Sequence, residues 1–288
     1  MKCNLCPKHC NAERSETEGK GFCKVGTSPK IARIAPHMWE EPCISGTNGS
    51  GTIFFSGCTL GCVFCQNYLI SAQKQGAIIT VNKLVDEIKK LEEKNVHNIN
   101  LVSPTPYVDA ILEAFSIYKP SIPVVYNSSG YEDIDTLKKL DGYINIYLPD
   151  FKYSNNELAI KYSGVKNYVE TTTEAIQEMI NQTGKINIDS AGIMTRGTIV
   201  RHLILPNHTK NSLGVLDILE KFEGDFLVSL MGQYVPSGIA EKYEKLNRKI
   251  TRREYEKVKN YLFDLGFDGF VQDLKSASGK YIPQWDYK

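Results

Sequence analysis

Hydrophobic residues from residue 52 onward follow two alternating patterns. Short runs rich in β-branched and aromatic residues are typical of buried strands, and such runs occur at 52–56, 98–103, 122–127, 143–149, 197–205 and 226–231. Between the runs, apolar residues recur at helical spacing near 81–94, 107–118, 133–140, 155–162, 171–183 and 211–222. The pattern therefore predicts strands and helices in alternation.

This alternation sets the expected architecture. Strands separated by helices form a mostly parallel sheet with helical crossovers. Six strand–helix units are too few for a closed eight-fold barrel, so we expect an α/β fold, a partial (β/α)6 TIM-like barrel open along one side. Catalytic residues of such barrels lie at the carboxyl ends of the strands. Candidate site residues should therefore directly follow the predicted strands.

The barrel accounts for residues 52–250, and three further segments flank it. Residues 1–30, the N-terminal cysteine segment, have few core residues and are expected to bind metal. Residues 31–51 are expected to be a connecting segment, since proline and glycine interrupt them. Residues 251–288 complete the chain as a C-terminal helix and tail.

The C-terminal region begins with a helix signature. Thr251 is a candidate N-cap with Glu254 three residues later, and the helical pattern runs to Leu265. The tail from Ser276 to Lys288 could cover the open side of the barrel, or it could be a frayed terminus. The aromatic residue Trp285 favours a tail that packs on the barrel. We expect the tail, together with the N-terminal cysteine segment, to form a docking surface for a partner.

Composition narrows the function. The net charge is +1 and the basic residues are scattered, which argues against nucleic-acid binding. No apolar run is as long as a membrane span, and the first residues lack a signal-peptide core. We therefore expect a cytoplasmic protein that does not bind membranes. In a reducing compartment, eight cysteines indicate metal binding rather than disulfides.

Three of these cysteines, Cys58, Cys62 and Cys65, directly follow the first predicted strand in a C-x3-C-x2-C spacing. Soft thiolates at this density suit an iron–sulfur cluster or zinc. In a four-iron cluster, three cysteines leave one iron free to take a small-molecule ligand, which would make the site catalytic. The alternatives are a zinc loop without its fourth ligand and three chance thiols.

A second cysteine set lies at the N-terminus. Four thiols in a C-x2-C-x3-C-x12-C spacing suit a tetrahedral zinc site or a second iron–sulfur cluster; they are Cys3, Cys6, Cys10 and Cys23. The alternative is a disordered tail with spare thiols. Cys43 has no partner at metal-ligand spacing, so we interpret it as a buried free thiol, with a ligand role left open.

The segment Gly57–Asn67, here called the cluster loop, resembles the cluster loop of the radical S-adenosylmethionine (radical SAM) enzymes, with an aromatic residue, Phe64, before the last cysteine. Segments Glu40–Gly46 and Cys65–Tyr68 resemble the pyruvate formate-lyase activating enzymes within that family. The resemblance implies a 4Fe–4S cluster on the three loop cysteines that binds S-adenosylmethionine. It also implies reduction by a flavodoxin or ferredoxin, formation of a 5′-deoxyadenosyl radical and hydrogen abstraction by that radical.

The first two polar strand ends after the cluster loop are Ser103-Pro104-Thr105 and Asn127-Ser128. The family normally has a Gly-Gly-Glu-like segment at the first of these positions, to receive the amino group of S-adenosylmethionine. Ser103 and Thr105 could accept from that group instead, or belong to an ordinary turn. Asn127 and Ser128 resemble the Asp-Thr-Asn-Gly turn of the activating enzymes.

The later strand ends carry charge. Asp150 and Lys152 resemble an Asp-x-Lys motif that could bind ribose, a carboxylate or a monovalent cation, or form a surface ion pair. Arg201, in an apolar strand, could hold the methionine carboxylate, whereas its neighbour His202 is expected to be a packing residue. Met231 and Gln233 follow the last strand and are candidates for adenine contacts, and Phe64 of the cluster loop is the remaining cofactor-binding candidate.

The resemblance implies that the substrate is a glycyl radical enzyme, activated by hydrogen abstraction from a backbone glycine. Radical chemistry on a small molecule or another peptide is the alternative within the same family. A non-catalytic iron–sulfur or zinc scaffold is an alternative from another class. The activating enzymes lack a four-cysteine N-terminal segment of this form, so the sequence leaves the substrate open.

Overall fold

The computed structural model describes residues 2–272, residue 274 and residues 285–286. Its strands are β1 (Lys2–Cys3), β2 (Ala12–Glu13), β3 (Lys30–His37), β4 (Ser50–Phe55), β5 (Ala77–Ile78), β6 (Ile99–Val102), β7 (Val124–Ser128), β8 (Ile146–Pro149), β9 (Asn187–Ile188), β10 (Met194–Leu203), β11 (Leu227–Met231) and β12 (Gly269–Val271). Its α-helices are α1 (Pro42–Ser45), α2 (Tyr68–Ser71), α3 (Val81–Glu93), α4 (Val108–Ile117), α5 (Ile134–Leu140), α6 (Asn156–Ser163), α7 (Tyr168–Thr183), α8 (Thr209–Leu219) and α9 (Arg252–Asp264).

One large sheet organises the molecule. Strands β4, β6, β7, β8, β10, β11 and β12 are hydrogen-bonded in that order, each parallel to the next. At the β4 edge, β3 pairs antiparallel with β4, and β5 pairs antiparallel with β3. Among the described residues no pairing joins β12 to β5, so the sheet is a partial barrel. The predicted fold class is therefore confirmed.

The hydrophobic pattern located the repeated elements closely. Each predicted strand overlaps a parallel strand, and each predicted helix overlaps one of the helices α3 to α9. Thr251 and Glu254 form the capping box at the start of α9, because each side chain bonds the backbone of the other residue. Strand β12 was missed, and it makes the count of parallel strands seven rather than six.

The segment 31–51 is more than a connection, since it contains most of β3 and all of α1. Pro36 suggested a break, yet it lies within β3 opposite Gly51 of β4. β5 pairs only with Lys30 and Ile31 of β3, so within the described part of the chain the side of β3 away from β4 is an open edge at Pro36. A proline without a donor is tolerated there.

The core lies between the sheet and its helices and includes many buried tyrosines. Among the largest buried side chains are Tyr107, Tyr126, Tyr147, Tyr153, Tyr162 and Tyr168. Their hydroxyls are hydrogen-bonded, as buried polar groups require. Among the described residues, no helix has the length and hydropathy needed to cross a bilayer.

Candidate functional site

A cavity of about 220 Å³ opens at the carboxyl ends of the parallel strands. Parallel strands bring their ends to one edge of a sheet, so residues far apart in sequence meet there. Twelve of the predicted site residues line this cavity: Cys58, Cys62, Phe64, Cys65, Ser103, Asn127, Ser128, Asp150, Lys152, Arg201, Met231 and Gln233. The three loop thiols thus share one cavity with the charged strand-end residues.

Each of the three sulfur atoms of the cluster loop has a hydrogen-bond donor beside it. The Leu60 amide lies 3.4 Å from Cys58 Sγ, the Ser71 hydroxyl 3.3 Å from Cys65 Sγ, and the Ser163 hydroxyl 3.1 Å from Cys62 Sγ. Such donors stabilise a thiolate, the form that binds metal. The donor set therefore suits metal ligation by all three cysteines.

The loop thiols cannot all ionise without a counter-charge. Burial raises the pKa of Cys65 to about 12, and the neighbouring Cys62 acts in the same direction. Burial and Cys62 likewise raise the pKa of Cys58. A bound cationic cluster removes this penalty because metal coordination deprotonates thiols.

Arg201 connects three strand ends across the cavity floor. Its Nε donates to Asp150 Oδ1 at 2.9 Å, Nη1 to Glu40 Oε2 at 3.2 Å, and Nη2 to Asn127 Oδ1 at 2.5 Å. A buried guanidinium requires such partners. His202, the next residue, is turned away from the cavity and bonds the Phe151 carbonyl and the Ser212 hydroxyl, as expected of a packing residue.

Asp150 is shared by two cations, Arg201 and Lys152, whose Nζ donates to Asp150 Oδ2. Burial acts to raise the pKa of Asp150, but the two positive charges outweigh it and lower the pKa overall. Asp150 is therefore ionised at neutral pH. The motif is an inward-facing ion pair, since the Asp150 and Lys152 side chains are about 16% and 15% exposed.

Two carboxyl groups of the cavity were missed by the strand-end reasoning. Glu40 and Glu41 line the wall, although they precede α1 rather than follow a parallel strand. Glu40 Oε1 accepts from the amides of Asn100 and Asn127, each at 3.3 Å. Burial raises the pKa of both glutamates, against the attraction of Arg201. Glu40 and Glu41 lie in the segment Glu40–Gly46, which resembles the activating enzymes. That resemblance was the sequence signal that could have identified them as site residues.

Thr105 is the predicted cofactor-binding residue that does not line the cavity. Its hydroxyl donates to Glu132 Oε1 at 2.8 Å, behind the strand ends, and Tyr126 donates to Glu132 Oε2 at 3.2 Å. Ser103 lies on the cavity wall instead, with a left-handed backbone of φ 58°. Of the two residues proposed to receive an ammonium group, the structure therefore places only Ser103 where it could do so.

Two buried acceptors of the cavity have no hydrogen-bond partner among the described residues. They are Asn67 Oδ1, beside the cluster loop, and Gln272 Oε1, after β12. Buried amide oxygens are normally satisfied, so such orphans indicate a missing donor. A ligand with N–H groups would provide one.

The remaining cysteines lie outside this cavity. Cys3, Cys6, Cys10 and Cys23 belong to the N-terminal cysteine segment and are partly or fully exposed, whereas Cys43 is buried among the apolar residues of α1 and β8. Within the described residues, no three Cys, His, Asp or Glu side chains converge on a position for a single metal ion.

Comparison with known proteins identifies the family. Residues 52–213 match the sequence profile of the radical SAM superfamily. The chain belongs to the radical SAM superfamily. It is 33% identical over 279 residues to the uncharacterized protein MJ0674 of Methanocaldococcus jannaschii, a match covering 92% of this chain and 77% of that protein.

Solved structures support this radical SAM assignment at the level of the fold. SuiB of Streptococcus suis, solved with the precursor peptide SuiA, aligns with a TM-score of 0.55 at 16% identity, over 78% of this chain. This chain spans about half of SuiB, 49% of its length. SuiB solved with S-adenosylmethionine aligns with a TM-score of 0.53. A domain of a Bacteroides vulgatus pyruvate-formate lyase-activating enzyme aligns with a TM-score of only 0.38.

Radical SAM enzymes use a 4Fe–4S cluster and S-adenosylmethionine, and the cavity of this protein fits both. Three thiols with hydrogen-bond donors suit the cluster. The ionised Asp150 and the carboxyl oxygens of Glu40 and Glu41 line the cavity, where they can accept hydrogen bonds from the ammonium group of such a cofactor. The orphaned acceptors Asn67 and Gln272 would gain partners from the N–H groups of such a cofactor.

Proposed function

We propose that this radical SAM enzyme activates a glycyl radical enzyme. When bound, the reduced cluster supplies the electron that splits S-adenosylmethionine into methionine and a 5′-deoxyadenosyl radical, and that radical abstracts hydrogen from the substrate. In this proposal Cys58, Cys62 and Cys65 ligate the cluster. The observation that carries the proposal is that these thiols share one cavity with Arg201 and Asp150.

The charged residues would orient the cofactor. Arg201 keeps N–H groups beyond its three protein contacts and can hold the methionine carboxylate with them. Ser103, Glu40 and Asp150 line the cavity and are proposed to receive an ammonium or ribose group. Met231 and Gln233, at the end of β11, are proposed to contact adenine.

A protein substrate is supported by the open side of the barrel. In the described part of the chain the sheet does not close, so the cavity can admit a peptide loop. Met38, next to the cavity residues His37 and Trp39, is 44% exposed. An exposed apolar side chain at this position suits contact with a peptide.

Modification of a peptide that is not a glycyl radical enzyme is the second candidate. It is favoured by the likeness to SuiB, which was solved with a precursor peptide. That likeness is one of fold, and it supports a peptide as the substrate to be tested beside a glycyl radical enzyme. Turnover of a small metabolite and a non-catalytic scaffold remain as outcomes that the experiment separates.

The test is electron paramagnetic resonance of the reconstituted protein mixed anaerobically with glycyl radical enzymes from the same cell. A glycyl doublet that requires S-adenosylmethionine supports the proposal. A second outcome is release of 5′-deoxyadenosine without a glycyl doublet. If a peptide or metabolite is then found to be modified, that molecule is the substrate instead. If protein with an intact cluster releases no 5′-deoxyadenosine, the result favours the non-catalytic scaffold.

Matched cysteine variants make the assignment of the cluster loop specific. Cys58→Ala, Cys62→Ala and Cys65→Ala should each abolish cleavage of S-adenosylmethionine, because each removes one of three protein ligands. Cys43→Ser, which changes a buried thiol outside the cavity, should retain cleavage. Full cleavage by any of the three loop variants would refute the ligand assignment.

A further inference from the structure

The N-terminal cysteine segment folds so that its four thiols approach one another. β1 and β2 pair antiparallel with Cys3 opposite Ala12, and the loop between them carries Cys6 and Cys10. The turn from Gly21 to Lys24 then carries Cys23, and Arg14 bonds both Cys3 Sγ and the carbonyl of Val25, two residues after Cys23. Gly21 packs so closely that a Cβ there would lie 2.9 Å from Cys10 Sγ. Cysteines 20 residues apart in sequence are thus brought together.

The charges of the segment suit thiolates. Arg14 is 7% exposed and donates through Nη1 to Cys3 Sγ at 3.5 Å, while its Nε bonds the Val25 carbonyl. A guanidinium beside Cys3 favours the thiolate, which is the form that binds metal.

The same segment packs directly on the cluster loop. A Cβ at Gly57 would lie 2.7 Å from Val25 Cγ1, and one at Gly61 would lie 3.0 Å from Phe22 Cζ. Lys8 lies 3.8 Å from the centre of the Phe22 ring. The residues flanking Cys23 therefore contact the residues flanking Cys58, so the two cysteine sets are neighbours.

The position of the thiols favours a cluster over a single zinc ion. Four thiolates can ligate either group. Zinc does not change its oxidation state, so beside the cluster loop it would have a structural role only. An iron–sulfur cluster on the same four thiols could also exchange electrons with the cluster that the radical SAM family holds on the loop cysteines.

We propose that Cys3, Cys6, Cys10 and Cys23 hold a second 4Fe–4S cluster, which is the entry point for electrons to the cluster loop. A low-potential one-electron donor protein would lose one electron to the N-terminal cluster. That cluster would return to its oxidised state as the loop cluster is reduced, with no bond made or broken. Cys10 is exposed and the opposite side of the segment contacts the loop, so the site lies between solvent and the catalytic cavity. The proposal rests on the loop cluster but not on the identity of the substrate.

Metal content tests the site itself. After anaerobic reconstitution, the protein and Cys43→Ser should each contain about eight irons and eight sulfides per chain. Two variants should each retain about four irons and four sulfides per chain. They are the double variant Cys6→Ser/Cys10→Ser and the triple variant Cys58→Ala/Cys62→Ala/Cys65→Ala. The cluster left in the triple variant should give a reduced resonance signal that S-adenosylmethionine does not change. Stoichiometric zinc, or only four irons in the parent protein, would overturn the proposal.

Electron entry is tested by comparing reductants in the Cys6→Ser/Cys10→Ser variant. Dithionite, a small reductant, should still reduce the loop cluster and support cleavage of S-adenosylmethionine. A reduced ferredoxin should reduce the loop cluster at least tenfold more slowly than in the parent protein. If ferredoxin reduces the loop cluster of the variant and of the parent protein at equal rates, the electron relay is overturned. If neither reductant reduces the loop cluster of the variant, the segment has a structural role instead. Neither result depends on a glycyl radical partner, so failure here is distinguishable from failure of the proposed function.

Discussion

A single guanidinium determines much of the cavity floor. Arg201 has five N–H donors, and three of them bond Asp150, Glu40 and Asn127. The remaining donors lie on its two terminal nitrogens and can serve a carboxylate. Its partners also depend on it, since removal of Arg201 would leave Glu40 and Asp150 facing each other across a buried cavity.

We expect Arg201→Ala to weaken binding of S-adenosylmethionine by roughly 30- to 150-fold, about 2–3 kcal/mol, because a charge-assisted contact is lost. Calorimetry on cluster-loaded protein measures this, and iron content should remain unchanged. Arg196→Ala is the matched control on the same strand, because Arg196 bonds the carbonyls of Thr183 and Gln182 instead of lining the cavity. Equal affinities of the Arg201 variant and the parent would show that Arg201 does not bind the cofactor.

Glu132 gives the protein a pH-dependent stability. Its burial raises its pKa to about 7, although hydrogen bonds from Thr105, Ser128 and Tyr126 oppose the shift. The folded protein then holds the proton more tightly than the unfolded chain, whose glutamate titrates near 4.5. This contribution is fully present below pH 4.5 and is lost as pH rises through about 7, by roughly 3 kcal/mol in total.

We therefore expect Glu132→Gln to remove this component from the fall in unfolding free energy between pH 5 and pH 7.5. Urea unfolding at a series of pH values measures the slope. Glu113→Gln, at an exposed position of α4, should keep the slope of the parent protein. A Glu132→Gln slope equal to that of the parent would mean that Glu132 titrates normally.

At the scale of elements, glycines determine how closely the N-terminal cysteine segment approaches the cluster loop. Gly61 has φ +74° and faces Phe22, whereas Gly142 has φ +79° and nothing within 4 Å of an added Cβ. Both positions disfavour other residues by about 1 kcal/mol through the backbone. Only at Gly61 would a methyl group also press on the neighbouring segment.

Comparing Gly61→Ala with Gly142→Ala separates these two effects. We expect similar losses of stability from the backbone, and in addition faster amide hydrogen exchange over residues 2–28 in the Gly61 variant. Mass spectrometry of peptides from both proteins measures this. Identical exchange in the two variants would indicate that Phe22 moves aside without loosening the segment.

The positions of helices and strands were predictable where the buried residues recur at a regular spacing along the sequence. Val81, Leu84, Val85, Ile88 and Leu91 show the helical spacing of α3, and Leu84, Val85, Ile88 and Leu91 are indeed buried. β12 was missed because it is a three-residue edge strand, Gly269–Val271, too short to show a period. β3 was missed because Pro36 is a strong breaker in sequence, while its tolerance depends on an open edge that only the assembled sheet creates.

The site was predictable to the extent that it follows parallel strands. Asn127, Asp150 and Arg201 come together because β7, β8 and β10 are neighbours in the sheet. Glu40 enters the cavity from the antiparallel edge, and no strand-end rule applies to it. Thr105 faces Glu132 because it is the first residue of a helical turn, Thr105–Tyr107, that rotates the chain away from the cavity. Such rotations depend on local backbone geometry, which a periodic pattern does not encode.

At the scale of the whole molecule, the end of the chain returns to the start of the barrel. The expected tail Ser276–Lys288 lies outside the described residues except for Trp285 and Asp286. Trp285 packs edge-on against Phe54 of β4 with ring centroids 5.2 Å apart, and Asp286 pairs with Arg33 of β3 at 2.8 Å. Phe54 lines the cavity. A contact from the chain end therefore supports the wall beside the open edge.

We expect Trp285→Ala to lower the unfolding free energy by about 1–2 kcal/mol, because a partly buried aromatic pair is lost. Cofactor affinity should also fall, since Phe54, Ile70 and Val102 contact Trp285 or its cluster and line the cavity. Phe263→Ala is the matched control: Phe263 is an aromatic residue on α9 that is 57% exposed, so its removal should change neither quantity.

A double-mutant cycle with Phe54→Leu isolates the pair itself. If the chain end supports the wall through this ring contact, the two changes should be non-additive by about 0.5–1.5 kcal/mol in chemical unfolding. Additive losses would mean that Trp285 stabilises the protein through other neighbours, and an unaltered cofactor affinity would separate the chain end from the cavity. Asp286→Asn should have little effect in the same assay, because its pairing with Arg33 is largely solvent-exposed and water screens it. The aromatic contact, rather than the ion pair, is thus expected to couple the C-terminal residues to the cavity.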